Sequence, residues 1–111
     1  MRDEIKKFLF DINEAADSVF EYLGEKRDFY EYNKNKMLRR AVEREFEIIG
    51  EAMNNILKLD PEFPIAYARK IVDLRNPVIH GYDKVDNAIV WGIIIRNLPD
   101  LRKDVLKLLN E

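Results

Sequence analysis

Four side chains within eight positions could work together on a phosphate: Arg75, Asn76, His80 and Tyr82, in the run Arg75-Asn76-Pro77-Val78-Ile79-His80-Gly81-Tyr82. An arginine offers a planar fork of donors that fits phosphate oxygens. A histidine titrates near neutrality and can exchange a proton with a ribose hydroxyl. Asn76 can orient the histidine or meet a phosphate. Tyr82 can hydrogen-bond, stack on a base, or present a hydroxyl for modification. Together these are the parts for cutting RNA by attack of its own 2′-hydroxyl, which needs no metal. His80 is the only histidine in the chain, and a lone histidine is more often structural than catalytic. Arg and His five residues apart also recur by chance, so the spacing alone is a weak signal.

Composition limits what surrounds these residues. A chain of 111 residues makes a single domain spanning 1–111, and at that size an oligomer interface adds useful stability. The absence of cysteine removes disulfides and thiolate metal sites and suits a reducing compartment. No apolar leader follows Met1, and the run Ala88 to Ile95 is too short to span a bilayer. The expectation is a cytoplasmic protein with no membrane contact. A net charge of -2 argues against binding long nucleic acid by charge alone, so any RNA contact must be local and geometric. Abundant Lys, Glu and Ile with no Gln resembles heat-adapted composition.

The elements that must position the motif are helices. Apolar residues at three- and four-residue steps predict a first helix from Asp3 to Leu23, stopped by Gly24. Residues 24–34 read as a charged, aromatic loop with at most a helical turn. A second long helix runs from Asn35 to Leu59 and ends at Asp60-Pro61. The third begins near Pro64 and passes through Tyr67, Ile71 and Leu74 into the motif. Pro77 either kinks it or sits at the first position of a new turn capped by Asn76. A fourth helix, Asp86 to Leu98, is apolar almost all round, which in so small a domain means one face on the core and one on a partner subunit. Pro99-Asp100 opens a short last helix through Leu109. The fold class is all-α: an up-and-down bundle of four to five helices with short connections, dimeric.

Other candidates carry weaker signals. Glu45 falls inside the apolar stripe of the second helix, as a carboxylate that orients Arg75 or His80 or as one facing an inter-helix gap. Glu51 and Arg44 sit on the flank of that stripe and read as structural ion-pair partners. Glu43, Glu47 and Glu51 recur at four-residue spacing, but without a second histidine they read as a solvated face rather than a metal site. Lys34, Lys36, Arg39 and Arg40 form the only local basic cluster, and a plain solvated helix start is at least as good a reading as an RNA track. Tyr30 and Tyr32 read as loop packing before base stacking, and Trp91 as core or interface.

The motif resembles the Arg-x(4–6)-His signature of HEPN domains, and the tyrosine two residues after the histidine is similar to their HepT-like branch. The likeness extends to Ala41-Val42-Glu43-Arg44, Ile48-Ile49-Gly50-Glu51-Ala52, Asp86 to Trp91 and Asn97-Leu98-Pro99-Asp100-Leu101. Pro77 departs from the continuous helix expected there. The resemblance implies RNA cleavage without metal or cofactor, with Arg75 and His80 of two subunits facing one cleft. It also implies a minimal nucleotidyltransferase antitoxin that silences the toxin by attaching AMP to Tyr82. A homodimer has an independent rationale: one His80 cannot easily serve both the attacking and the leaving oxygen, and a two-fold axis supplies a second. The alternative is a non-catalytic helical partner of a nucleotidyltransferase, with Arg75 and His80 contacting nucleotide phosphates. The acidic charge favours that alternative, and the complete Arg, Asn, His and Tyr set favours the nuclease. A plain structural or interaction domain is the third reading.

Overall fold

The computed structural model describes residues 1–75 and 86–111, and every regular element among them is helical. Helix α1 (Asp3–Leu23) buries Ile5, Leu9, Ile12, Ala15, Ala16 and Val19, the stripe its spacing dictates. Asp3 and Glu4 occupy its first turn, where the helix dipole favours negative charge. Gly24 ends it at φ +69°, a conformation that costs glycine little, with its N–H bonded to the Phe20 carbonyl at 3.0 Å. A short α2 (Phe29–Lys34) is capped by Asp28, which accepts from the Tyr30 N–H. It puts Tyr32 in the core and leaves Tyr30 in solvent.

Helix α3 (Lys36–Leu59) starts where Asn35 accepts from the Leu38 N–H at 3.0 Å. It lies antiparallel to α1. The Arg2 guanidinium reaches the Leu59 carbonyl at one end, and the Tyr22 hydroxyl donates to Glu45 toward the other. Along this helix Val42, Phe46, Ile49, Met53 and Ile56 are buried in the core shared with the α1 stripe. Each such side chain contributes roughly 1.5–3 kcal/mol by leaving water.

The connection after α3 differs from the expected early helix start. Asp60 caps a turn by accepting from the Glu62 N–H, and Phe63 and Ile65 are buried as anchors. Tyr67 then adopts φ 61°, ψ 26°, and α4 (Ala68–Val72) begins only after it, tightening into a 3₁₀ turn over Asp73–Arg75. Pro64, Ala66 and Tyr67 therefore stand outside the helix, and Tyr67 is exposed rather than part of an apolar stripe. A left-handed conformation costs a residue with a Cβ about 1–2 kcal/mol. The motif end of that expected helix, with the kink or cap at Pro77, lies outside the described residues.

Asp86 caps α5 (Asn87–Gly92), accepting from the Ala88 and Ile89 N–H groups. The expected break at Pro99 does not occur. Helical backbone continues through a π-helical segment, Ile93–Asn97, into α6 (Leu98–Leu109). The Leu98 N–H bonds the Ile93 carbonyl, five residues back. This wider turn accommodates Pro99, which has no N–H to donate and would crowd the carbonyl four residues earlier. Val90, Ile94 and Leu98 face the core, whereas Ile89 and Ile95 stay exposed. Trp91 packs on Phe29 and Tyr32, with ring centroids 6.0 and 5.3 Å away. Helix α6 lies on α1, where Arg102 and Asp17 pair at 2.6 Å.

Candidate functional site

Arg75 ends the 3₁₀ turn, and its position is set by a backbone-to-backbone approach. A Cβ built on Gly50 of α3 would stand 2.6 Å from the Arg75 nitrogen and 2.9 Å from the Val72 carbonyl oxygen. Only a residue without a side chain lets the turn sit this close to α3. Leu74 and Val72 point into the core beside it, so the turn is held by burial as well. The Arg75 side chain emerges with 45% of its surface in solvent and meets Glu51 at 3.3 Å.

Glu51 is thus an ion-pair partner as expected, although its partner is the site arginine, and Arg44 pairs with Glu47 at 3.4 Å. Glu45, expected to orient Arg75 or to face an inter-helix gap, accepts a 2.7 Å hydrogen bond from Tyr22 on α1. The reason is rotation: Glu45 and Gly50 are five residues apart, about 140° around the helix. The face that holds Arg75 is therefore not the face that carries Glu45. The bond to Glu45 also pushes the Tyr22 hydroxyl pKa above its ordinary value, with burial adding to it. The other expected site residues, Asn76, His80 and Tyr82, lie outside the described residues, as does Pro77.

An Arg75–Glu51 pair this exposed is worth about 0–1 kcal/mol. Such a pair orients the guanidinium without competing strongly for it. A guanidinium has five donors, and an incoming phosphate replaces a carboxylate contact with one of the same geometry.

One carboxylate departs from its expected setting. Glu43 is 4% exposed, not part of a solvated face, and its nearest cation is Arg40 at 3.2 Å. It shares a face of α3 with Gly50, about 10 Å toward the N-terminus. Burial pushes its pKa above the ordinary 4.5, against the Arg40 charge and hydrogen bond, which pull it down. The buried Tyr32 hydroxyl, with no hydrogen-bond partner among the described residues, is also pushed up, by burial first and then by Glu43. A raised folded-state pKa means the folded chain binds this proton more tightly than the unfolded chain. The contribution is present below the ordinary value and is lost as pH rises through the folded value. The urea midpoint of Glu43→Gln should therefore gain on wild type as pH rises from about 4 to about 7. A difference that is flat across that range counts against a buried, costly carboxylate. Among the described residues no three His, Cys, Asp or Glu side chains gather as a metal site, and no helix is long and apolar enough to cross a membrane.

Two features here were not recognised in the sequence as site features. Gly50 interrupts a 24-residue helix of otherwise good helix formers, and a mid-helix glycine costs roughly 1 kcal/mol against alanine. That cost signals a close approach but does not say to what. Glu43 carries no such signal, because its four-residue spacing from Glu47 and Glu51 also describes a wet face.

Comparison with known proteins gives the family that the chain resembles. The family model described as ribonuclease HepT-like matches residues 12–108. A Methanocaldococcus jannaschii protein, named provisionally as an RNase, is 39% identical over 105 residues, covering 92% of this chain and 94% of its own. A Thermococcus cleftensis protein, named provisionally as ribonuclease HepT, is 34% identical over 112 residues, covering 97% and 98%. A Caldanaerobacter subterraneus protein, also named provisionally as an RNase, is 34% identical over 87 residues, covering 75% of each chain. No solved structure matches.

Proposed function

The chain belongs to the ribonuclease HepT-like family, and on that premise we propose that it is a toxin-type endoribonuclease that cuts RNA through the 2′-hydroxyl. The observation that carries this is Arg75, seated against α3 at Gly50 and presented to solvent through one weak carboxylate contact. In this reading Arg75 holds the scissile phosphate and stabilises the charge that grows on it. His80 removes the 2′-hydroxyl proton as that oxygen bonds to phosphorus. A second His80, from the other copy of a homodimer, protonates the leaving 5′-oxygen as its bond to phosphorus breaks. The products are a 2′,3′-cyclic phosphate and a free 5′-hydroxyl. Asn76 orients the histidine. Exposed Ile89 and Ile95 on the last helical run give a second copy something to cover.

Tyr82 is the switch in this proposal. A partner nucleotidyltransferase antitoxin transfers AMP from ATP to its hydroxyl, the tyrosine oxygen bonding to the α-phosphorus as pyrophosphate leaves and the hydroxyl proton is lost. This adds bulk and negative charge seven residues from Arg75 in the chain, in competition with RNA phosphate.

The test compares wild type, Arg75→Ala and His80→Ala on mixed RNA in excess chelator, with Tyr82 shown unmodified by mass spectrometry. Cleavage by wild type that is lost in both variants supports the nuclease. RNA left intact by wild type sinks it and favours a non-catalytic, nucleotide-binding partner of the transferase.

A further inference from the structure

We propose that Tyr67 is a stacking platform for a base of single-stranded RNA, placed on the same run of chain as Arg75; this rests on reading Arg75 as the phosphate-holding residue. The first observation is the backbone. Tyr67 is the only non-glycine among the described residues at positive φ. The position favours glycine or asparagine, yet an aromatic residue occupies it. The second is what the ring does there. It is 74% exposed, the most exposed aromatic among the described residues, while Phe63 and Ile65 just before it are buried and anchor the loop. The ring is therefore not required to hold the connection in place. A strained residue whose side chain does no packing is a candidate for function.

The third observation is charge. Between Tyr67 and Arg75 the chain has Arg69, Lys70 and Arg75 against the single carboxylate Asp73, in a protein whose net charge is -2. The Lys70 ammonium lies over one face of the Tyr67 ring, 5.7 Å from its centroid, as a cation–π contact. Arg69 and Lys70 are exposed, and neither has an ion-pair partner among the described residues. An exposed ring with a cation over one face and no carboxylate among the described residues paired to its neighbouring cations resembles what sequence-tolerant single-strand binders use: the ring takes the base and the cations take the flanking phosphates. Five α-helical and three 3₁₀ residues set the Tyr67 and Arg75 backbones roughly 13 Å apart along the element. That separation lies within the few nucleotides such sites cover. This supplies the local, geometric RNA contact that an acidic chain needs.

The test uses a fluorescent mixed-sequence octanucleotide with 2′-O-methyl riboses, which blocks cleavage so that binding is read alone. Anisotropy is measured for wild type, Tyr67→Phe, Tyr67→Trp, Tyr67→Ala and Tyr67→Gly. The glycine variant removes the ring while suiting the left-handed backbone, so loss of fold does not confuse the result. Phe and Trp should bind as wild type, and Ala and Gly should weaken binding by about 5- to 100-fold. An abasic scan of the octamer should find one position that reproduces the loss in wild type and adds nothing to Tyr67→Gly. Binding by Tyr67→Gly equal to wild type overturns the platform. A loss of binding that tracks a change of oligomeric state in sedimentation also overturns it, assigning Tyr67 to a protein contact. The parent reading is separated with unmodified RNA. Cleavage and binding both unchanged in Tyr67→Gly sink the platform and leave the nuclease. RNA bound through Tyr67 but never cut keeps the platform and sinks the nuclease.

Discussion

Gly50→Ala is expected to lose both stability and RNA cleavage, although alanine is the better helix former. Two effects oppose each other. Alanine in the interior of α3 should stabilise the helix by about 1 kcal/mol. Against that, the new Cβ would sit 2.6 Å from the Arg75 nitrogen and 2.9 Å from the Val72 oxygen, both backbone atoms that cannot rotate aside. To restore an ordinary contact of 3.4 Å the turn must retreat by roughly 0.8 Å, pulling Leu74 and Val72 from their buried positions. Overpacking of this kind costs about 1–3 kcal/mol, so the clash wins. A net loss of up to about 2 kcal/mol lowers the melting temperature by up to roughly 15 °C in a domain of this size. The activity loss should be larger in proportion, because a displacement near 1 Å at a reacting group costs about 100-fold in rate. Thermal unfolding gives the first quantity. Cleavage of RNA well below the melting point, where the variant is still folded, gives the second. A variant as stable and as active as wild type would mean that the turn does not rest on α3 in the working protein.

The dependence of the site on Gly50 marks the boundary of what the sequence discloses. The helical periodicities of α1 and α3 were plain, because each buries a single stripe and ends at an unambiguous signal, Gly24 in one case and Asp60-Pro61 in the other. The start of α4 is not legible in the sequence, because Tyr67 and Ile71 keep helical spacing whether or not Tyr67 is in the helix. The helix starts at Ala68, after a loop in which Phe63 and Ile65 are buried and Tyr67 is left-handed. Pro99 looked like a boundary because proline is usually one, and a π-helical segment absorbed it instead. In the site, Arg75 follows from residue type and an ion-pairing role for Glu51 from its flank position, but that the two pair with each other is shown only by the fold. The rotation that sends Glu45 to Tyr22 and buries Glu43 depends on which neighbour each face of α3 meets. No periodicity within one helix records that.

Arg75→Lys should behave as a near-complete loss of cleavage with little loss of RNA binding. Lysine keeps the positive charge, so the screened attraction to RNA survives and the affinity for the 2′-O-methyl octamer should change less than about threefold. What it loses is the planar fork. In the free protein one edge of the Arg75 guanidinium lies toward Glu51, 3.3 Å away, and this contact helps fix the plane of the group. A rotating ammonium on a flexible stem has no plane to fix. It cannot place two donors on the oxygens of a phosphate as negative charge builds there. Removing one such donor typically costs about 10²–10³-fold in rate, and the same range is expected for kcat here. The fold should be indifferent, because the exposed pair with Glu51 contributes about 0–1 kcal/mol. Matched unfolding curves therefore separate chemistry from stability. Cleavage by Arg75→Lys within threefold of wild type would reduce Arg75 to a point charge and move the stabilising role elsewhere. Glu51→Gln then locates the source of the geometry. It keeps the guanidinium and a weaker acceptor, and it should fall between wild type and the lysine variant if the pair orients Arg75.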